Sequence, residues 1–198
     1  GNNIIQTKGA LSFFDKGDVN KSNKTVSKTN NTLLKPIVLA LIGGDNKRYD
    51  FNNTDYYNLG YQIAKISKDI NSKLIVSTSR RTSLTGTKVL NSVLKKHHDD
   101  FILWSGKGEN PYPNILKSSN YVIVTSDSIN MISEAASLNI PLFVAYINKE
   151  KGKVSIFLKD LEKRNIIQNF EGKLFNYNKV QLETNYKTSL KVNKFFRT

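Results

Sequence analysis

With 198 residues, no cysteine and 2 histidines that sit side by side, the chain is long enough to bury a proper core in one domain. It excludes disulfides, Cys-type zinc sites, a thiol nucleophile and a histidine pair at i, i+4 on a helix. The 30 basic against 16 acidic residues give a formal charge of +14, which invites nucleic acid or an anionic membrane. The charge is uneven, however: residues 36–146 hold 12 basic and 9 acidic residues, and the flanks carry the excess. Asparagine is abundant as well, so a compositional bias explains the lysines as readily as a ligand does. The longest apolar run, Ile140–Ile147, is far short of the about 20 residues a membrane-spanning helix needs. No signal peptide is recognisable, and the opening Gly1 reads as a trimmed chain or a fragment.

In chain order, Asn3–Thr7 and Ala10–Phe14 are short apolar clusters that read as the end of something packed elsewhere. Lys16–Thr32 is polar apart from two valines and reads as a linker. Pro36–Ile42 is a continuous apolar run of strand length. Thr54–Ile70 carries Leu59, Ile63, Ile66 and Ile70 on one helical stripe. A strand over Lys73–Thr78, a helix over Thr82–Lys96 and a short strand over Phe101–Trp104 follow. Asn114–Ser118 is a helical turn, Tyr121–Thr125 a strand, Ile129–Leu138 a helix, Pro141–Ala145 a fifth strand and Ser155–Arg164 a helix. The sequence beyond Asn176 is polar and weakly patterned. Strands without alternation, separated by amphipathic helices, predict a doubly wound α/β domain on a parallel sheet.

In such a sheet ligands sit beyond the carboxyl ends of the strands, at the switch in strand order. The first exit loop holds Gly43 and Gly44, whose freedom suits a sharp turn and whose amides suit a phosphate, although a plain strand exit reads the same way. Neither a GxGxxG nor a GxxxxGK[ST] motif is present. The second exit loop holds Arg80 and Arg81, followed by Thr82 as a helix cap, and reads as a diphosphate grip or a solvated basic turn. The third is long and braced, with Asn110, Pro111 and Tyr112 as a pocket wall, while Trp104 reads as core. The fourth holds Asp127 and Ser128, either of which caps a helix whose first amides suit an anion. Met131 and Glu134 lie on that helix. Glu134 either accepts a ribose diol or pairs with a neighbouring Lys or Arg.

The stretch NYVIVTSDSINMISEAASLNIPLFVA, Asn120–Ala145, resembles the donor-binding strand–helix–strand of GT-B glycosyltransferases, in particular the N-acetylglucosaminyltransferase that completes lipid II. That resemblance implies a ribose contact at Glu134 and a diphosphate contact at Gly43 and Gly44. A closer resemblance lies in four blocks in order, LIGGDNKRY, STSRRT, WSGKGENPY and VTSDSINMISEA, which are similar to the mitochondrial-fission Elm family and its bacterial relatives over roughly residues 1–180. It implies a Rossmann-like, GT-B C-terminal type of domain. On that frame residues 1–15 are a remnant of an N-terminal domain, 16–35 a polar linker, 36–180 the nucleotide-binding domain and 181–198 a basic tail. Gly43, Gly44, Arg80, Arg81 and Ser128 are expected at a diphosphate, and Asp127, Met131 and Glu134 at a nucleoside.

Three functions follow as expectations. The first is the nucleotide-sugar-binding half of a transferase, inactive or weakly active without its N-terminal domain, needing no metal and no cofactor. The second is a non-catalytic scaffold on the same frame. The third is peripheral attachment of a cytoplasmic protein to an anionic membrane or a lipid-linked acceptor through Lys149, Lys151, Lys153, Lys159, Lys163 and Arg164. No aromatic-interleaved RNA-binding motif is present, so nucleic acid is not expected as a partner.

Overall fold

The computed structural model describes residues 4–12, 35–106, 112–147 and 151–195. The predicted linker lies almost wholly outside these residues, as do Asn110, Pro111 and Lys149. Six strands form one sheet: β1 Ile37–Ile42, β2 Lys73–Thr78, β3 Phe101–Trp104, β4 Tyr121–Thr125, β5 Leu142–Ala145 and β6 Gln168–Asn169. Between them lie α1 Asn53–Asp69, α2 Leu84–His97, α3 Tyr112–Ser118, α4 Ile129–Ala136 and α5 Gly152–Lys163, and α6 Thr184–Phe195 follows the sheet. The order across the sheet is β3-β2-β1-β4-β5-β6, and every pairing is parallel. The chain therefore starts in the middle, winds outward to β3 and jumps back to β4, so strand order reverses between β1 and β4.

The continuous apolar strands are explained by burial on both faces. Val38, Ala40 and Ile42 of β1 pack with Tyr56, Leu59 and Ile63 of α1 and Leu90 and Leu94 of α2. Leu39 and Leu41, pointing the other way, pack with Leu116 of α3, Ile132 of α4 and Leu158 and Leu161 of α5. The helix ends are locally specified. Asn52 caps α1, accepting from the Thr54 and Asp55 amides, while Asp55 accepts from the Asn52 amide at 3.0 Å. Both α1 and α5 stop at an asparagine with positive φ, Asn71 and Asn165. There the Ser72 and Ile166 amides reach back to the Ser67 and Leu161 carbonyls, each at 2.9 Å.

Three expectations are corrected. The sheet has six strands rather than five, because Gln168 and Asn169 pair with the edge of β5. The weakly patterned tail contains α6. Residues 4–12 pack on this domain itself: the Ala10 amide donates to Ser133 Oγ at 3.1 Å, the Ser12 amide to Asn185 Oδ1 at 2.9 Å and the Thr184 hydroxyl to the Lys8 carbonyl.

Gly86 of α2 lies against the Tyr56 ring, so that a Cβ there would sit 2.3 Å from a ring carbon of a fully buried side chain. Gly86→Ala gains about 1 kcal/mol of helix propensity, yet forcing a methyl into a packed seam costs about 1–3 kcal/mol. A Tm lower by about 2–4 °C is expected in thermal denaturation; an unchanged or higher Tm refutes the seam. His98 is buried, and its Nδ1 accepts the Asp100 amide at 3.1 Å. Burial pulls its pKa below the ordinary value, against the opposing pull of Asp100. The unfolded chain therefore takes the proton first, and the stability His98 contributes is complete above about pH 6.5 and lost below it. Melting across pH 5–8 is expected to show this fall, and His98→Gln to reduce it.

Candidate functional site

The exit loops of β1, β2 and β4 converge where the strand order reverses. Beside this junction a cleft of about 870 Å³ opens, within the usual size of a small-molecule site. Arg80, Arg81, Trp104, Tyr112, Asp127, Ser128, Met131 and Glu134 contribute to its lining. Five residues expected at a ligand from the fourth exit loop onward or from the arginine pair are thus brought to one place with Glu134. Tyr112 is there as the first residue of α3 rather than as part of a loop.

The glycines are different. The Gly43 amide donates to Thr125 Oγ1 at 2.8 Å and the Gly44 amide to Asp127 Oδ2 at 3.2 Å. A Cβ on Gly43 would lie 2.0 Å from the Asp127 carboxylate, and one on Gly44 2.2 Å from the Arg81 carbonyl oxygen. Both residues are buried and neither lines the cleft. The expectation that their amides face a phosphate is corrected: those amides close the junction between β1 and β4, and glycine is required because no side chain fits. Thr82 is corrected too. Ser83 caps α2, accepting from the Gly86 amide at 2.9 Å, while the Thr82 hydroxyl donates to the Gly43 carbonyl at 2.7 Å.

Asp127 is the centre of this junction. Its side chain is fully shielded and accepts the Thr125 hydroxyl at 2.6 Å, the Gly44 amide and Arg81 Nη2 at 2.7 Å. Burial pushes its carboxyl above the ordinary carboxylate range, opposed by Thr125, Gly44 and Arg81. Its role as a nucleoside contact is not supported, since both oxygens are committed inside the fold. Ser128 takes the N-cap position of α4 without a side-chain capping bond. Among the described residues no side chain caps the first amides of α4, on Ile129, Asn130 and Met131, and all three residues line the cleft.

Among the described residues Glu134 pairs with neither lysine nor arginine; its Oε2 accepts the Tyr112 hydroxyl at 2.6 Å. The phenol is pushed far above its ordinary range by burial and by this carboxylate, so it stays the donor. Several lining residues were not read from the sequence: Ser77, Thr78, Ser79, Ser105 and Asn130, together with Trp104, which is half-buried at the cleft rather than in the core. The signal for the hydroxyls was present, because the apolar run of β2 turns polar at Ser77 where it reaches the rim. On α5, Lys153, Lys159 and Lys163 are exposed, whereas Arg164 is tied to Asp160 at 3.3 Å. Among the described residues no helix is long and apolar enough to cross a membrane.

Known proteins resemble this chain in a consistent way. It is 32% identical over 143 residues to the uncharacterized protein RP120 of Rickettsia prowazekii, covering 69% of this chain and 39% of that protein. It is 29% identical over 175 residues to the mitochondrial fission protein ELM1 of Arabidopsis thaliana, covering 85% and 39%. The chain thus spans about two fifths of the length of the curated relatives it matches. A crystal structure from Listeria monocytogenes, described as a candidate UDP-N-acetylglucosamine 2-epimerase, superposes with a TM-score of 0.49 at 12% identity, over 89% of this chain and 43% of that one. That superposition is too loose to bear on function. The family model described as mitochondrial fission ELM1 matches residues 1–194, and the chain belongs to that family.

Proposed function

We propose that the cleft binds the nucleoside diphosphate part of a nucleotide sugar, and that the chain is the donor-binding half of a GT-B-like glycosyltransferase. The carrying observation is the arrangement along α4. Its side-chain-uncapped first turn lines the same cleft as Arg80, and Glu134 lies one to two turns further on in that cleft. At 1.5 Å per residue, about 8 Å separates the helix start from that carboxylate. The first position favours an anion through free amides and the helix dipole. The second favours hydroxyl donors, since a carboxylate holding one bond from Tyr112 keeps lone pairs for a diol. A phosphate with a ribose attached has this polarity and this span.

Turnover needs an acceptor and a group to activate it, and in a two-domain transferase the other domain supplies them. This half is therefore a binding unit with little or no activity alone. The family's description favours a second reading, a scaffold in organelle division. A partner of the full-length protein that survives Arg80→Ala with Glu134→Ala supports the scaffold; loss of that partner opposes it.

Thermal denaturation with UDP, GDP, CDP, ADP and their sugars tests the nucleotide reading. A ligand at 100 times its Kd adds about 2.7 kcal/mol, or a Tm increase of about 5–10 °C. One base series is expected to give such a shift, and Glu134→Ala to abolish it. Absence of any shift at millimolar ligand, in this chain and in the full-length protein, overturns the proposal. Tyr112→Phe keeps the carboxylate and loses its hydrogen-bond partner, so isothermal titration is expected to show binding weaker by about 3–10-fold.

A further inference from the structure

The two arginines after β2 sit in different surroundings. Arg81 holds Asp127 through Nη2 at 2.7 Å, with the arginine side chain 38% exposed and the carboxylate 0%. Its main-chain carbonyl also presses on Gly44, leaving no room for a Cβ there. Side chain and backbone of Arg81 thus both close the junction of β1, β2 and β4. Arg80 is exposed, lines the same cleft, and makes no hydrogen bond or ion pair among the described residues.

Drawing Arg81 onto a ligand would strand a shielded carboxylate whose other partners are one hydroxyl and one amide. Breaking one side of a buried pair is strongly unfavourable, because the remaining charge has lost its water and gained nothing. Arg80 meets no such opposition: a phosphate replaces only water around it. A guanidinium also matches a phosphate bidentately.

We infer that Arg80 is the group that grips the ligand's phosphate, and that Arg81 is a positioning residue that stays on Asp127 and holds the β1–β4 junction shut. The Arg80 assignment rests on the nucleotide reading above; the Arg81 assignment does not.

The test combines ligand-free melting of Arg80→Gln, Arg81→Gln, Asp127→Asn and the Arg81→Gln, Asp127→Asn double variant with calorimetric titration of UDP, GDP, CDP and ADP. Arg80→Gln is expected to melt with the parent and to bind the preferred nucleotide at least about tenfold more weakly, the scale of a hydrogen bond to a charged group. Arg81→Gln is expected to lower Tm by about 5 °C at pH 8. Asp127→Asn in the same chain should restore part of that loss, because the carboxylate has then lost its charge. The loss should also shrink toward pH 5. Among the described residues Arg81 is the charged group that holds Asp127, with the buried Tyr56 phenol only weakly coupled to it, and without Arg81 the carboxyl takes a proton more readily. Arg81→Lys, which keeps a charge, should recover much of the Tm.

An Arg81→Gln chain that melts like the parent at every pH overturns the positioning role. An Arg80→Gln chain that binds nucleotide like the parent overturns the gripping role. If the parent binds none of the four nucleotides, the nucleotide reading fails and the Arg80 assignment with it, while the ligand-free comparison still decides Arg81.

Discussion

One buried carboxylate keeps the centre of the sheet closed at the edge of the cleft. Where strand order reverses, the exit loops of β1 and β4 meet just beyond their last paired residues, and their polar groups need partners there. Asp127 meets that need. It accepts from Gly44 on the β1 exit, from Thr125 at the end of β4 and from Arg81 on the β2 exit. Three loops are thereby tied to one side chain by direct hydrogen bonds. Buried polar groups must be paired, and a network with all its members satisfied is stiff. The cleft beside this knot inherits that stiffness, since α4 begins at the next residue but one after Asp127.

How much of this is legible in the sequence depends on whether local chemistry or tertiary contact decides. β1, β2, β4 and β5 are apolar without alternation, and only burial on both faces accounts for that pattern. β6 is invisible because it consists of Gln168 and Asn169, polar residues with no strand preference, held by pairing with Phe143 and Val144. α6 is equally faint. Its apolar residues make no strong stripe, and its place is fixed by contacts with residues 4–12, more than 170 positions away for the Ser12–Asn185 pair. No window of local sequence contains that information.

The site shows the same division. Glu134, Ser128 and the arginines were legible as a group because strand-exit positions in a parallel sheet point to one rim. Their individual roles were not. A GG pair after a strand has two explanations, close approach of a ligand or close approach of another part of the chain, and both require the absence of a Cβ. Only the position of Asp127, where a Gly43 side chain would have to be, selects the second. Arg80 and Arg81 are indistinguishable as letters. They differ because consecutive residues leave a turn in different directions, one toward a buried carboxylate and one toward water.

On the proposed nucleotide reading, the electrostatics of the cleft narrow the ligand further than the overall charge does. The chain carries +14, yet among the described residues the lining holds Asp127 and Glu134 beside Arg80 and Arg81, so their formal charges cancel. A nucleic-acid strand would place successive phosphates along the groove and meet the Glu134 carboxylate about 8 Å beyond the helix start, where like charges repel. A membrane surface would meet the exposed lysines of α5, which lie outside this cleft. A small ligand with its anionic end at the start of α4 and hydroxyls at its other end meets a matching group at each point. On the proposed nucleotide reading, the cleft discriminates by placing an anion site at the start of α4 and a carboxylate further along it, and a net basic composition contributes nothing to that placing.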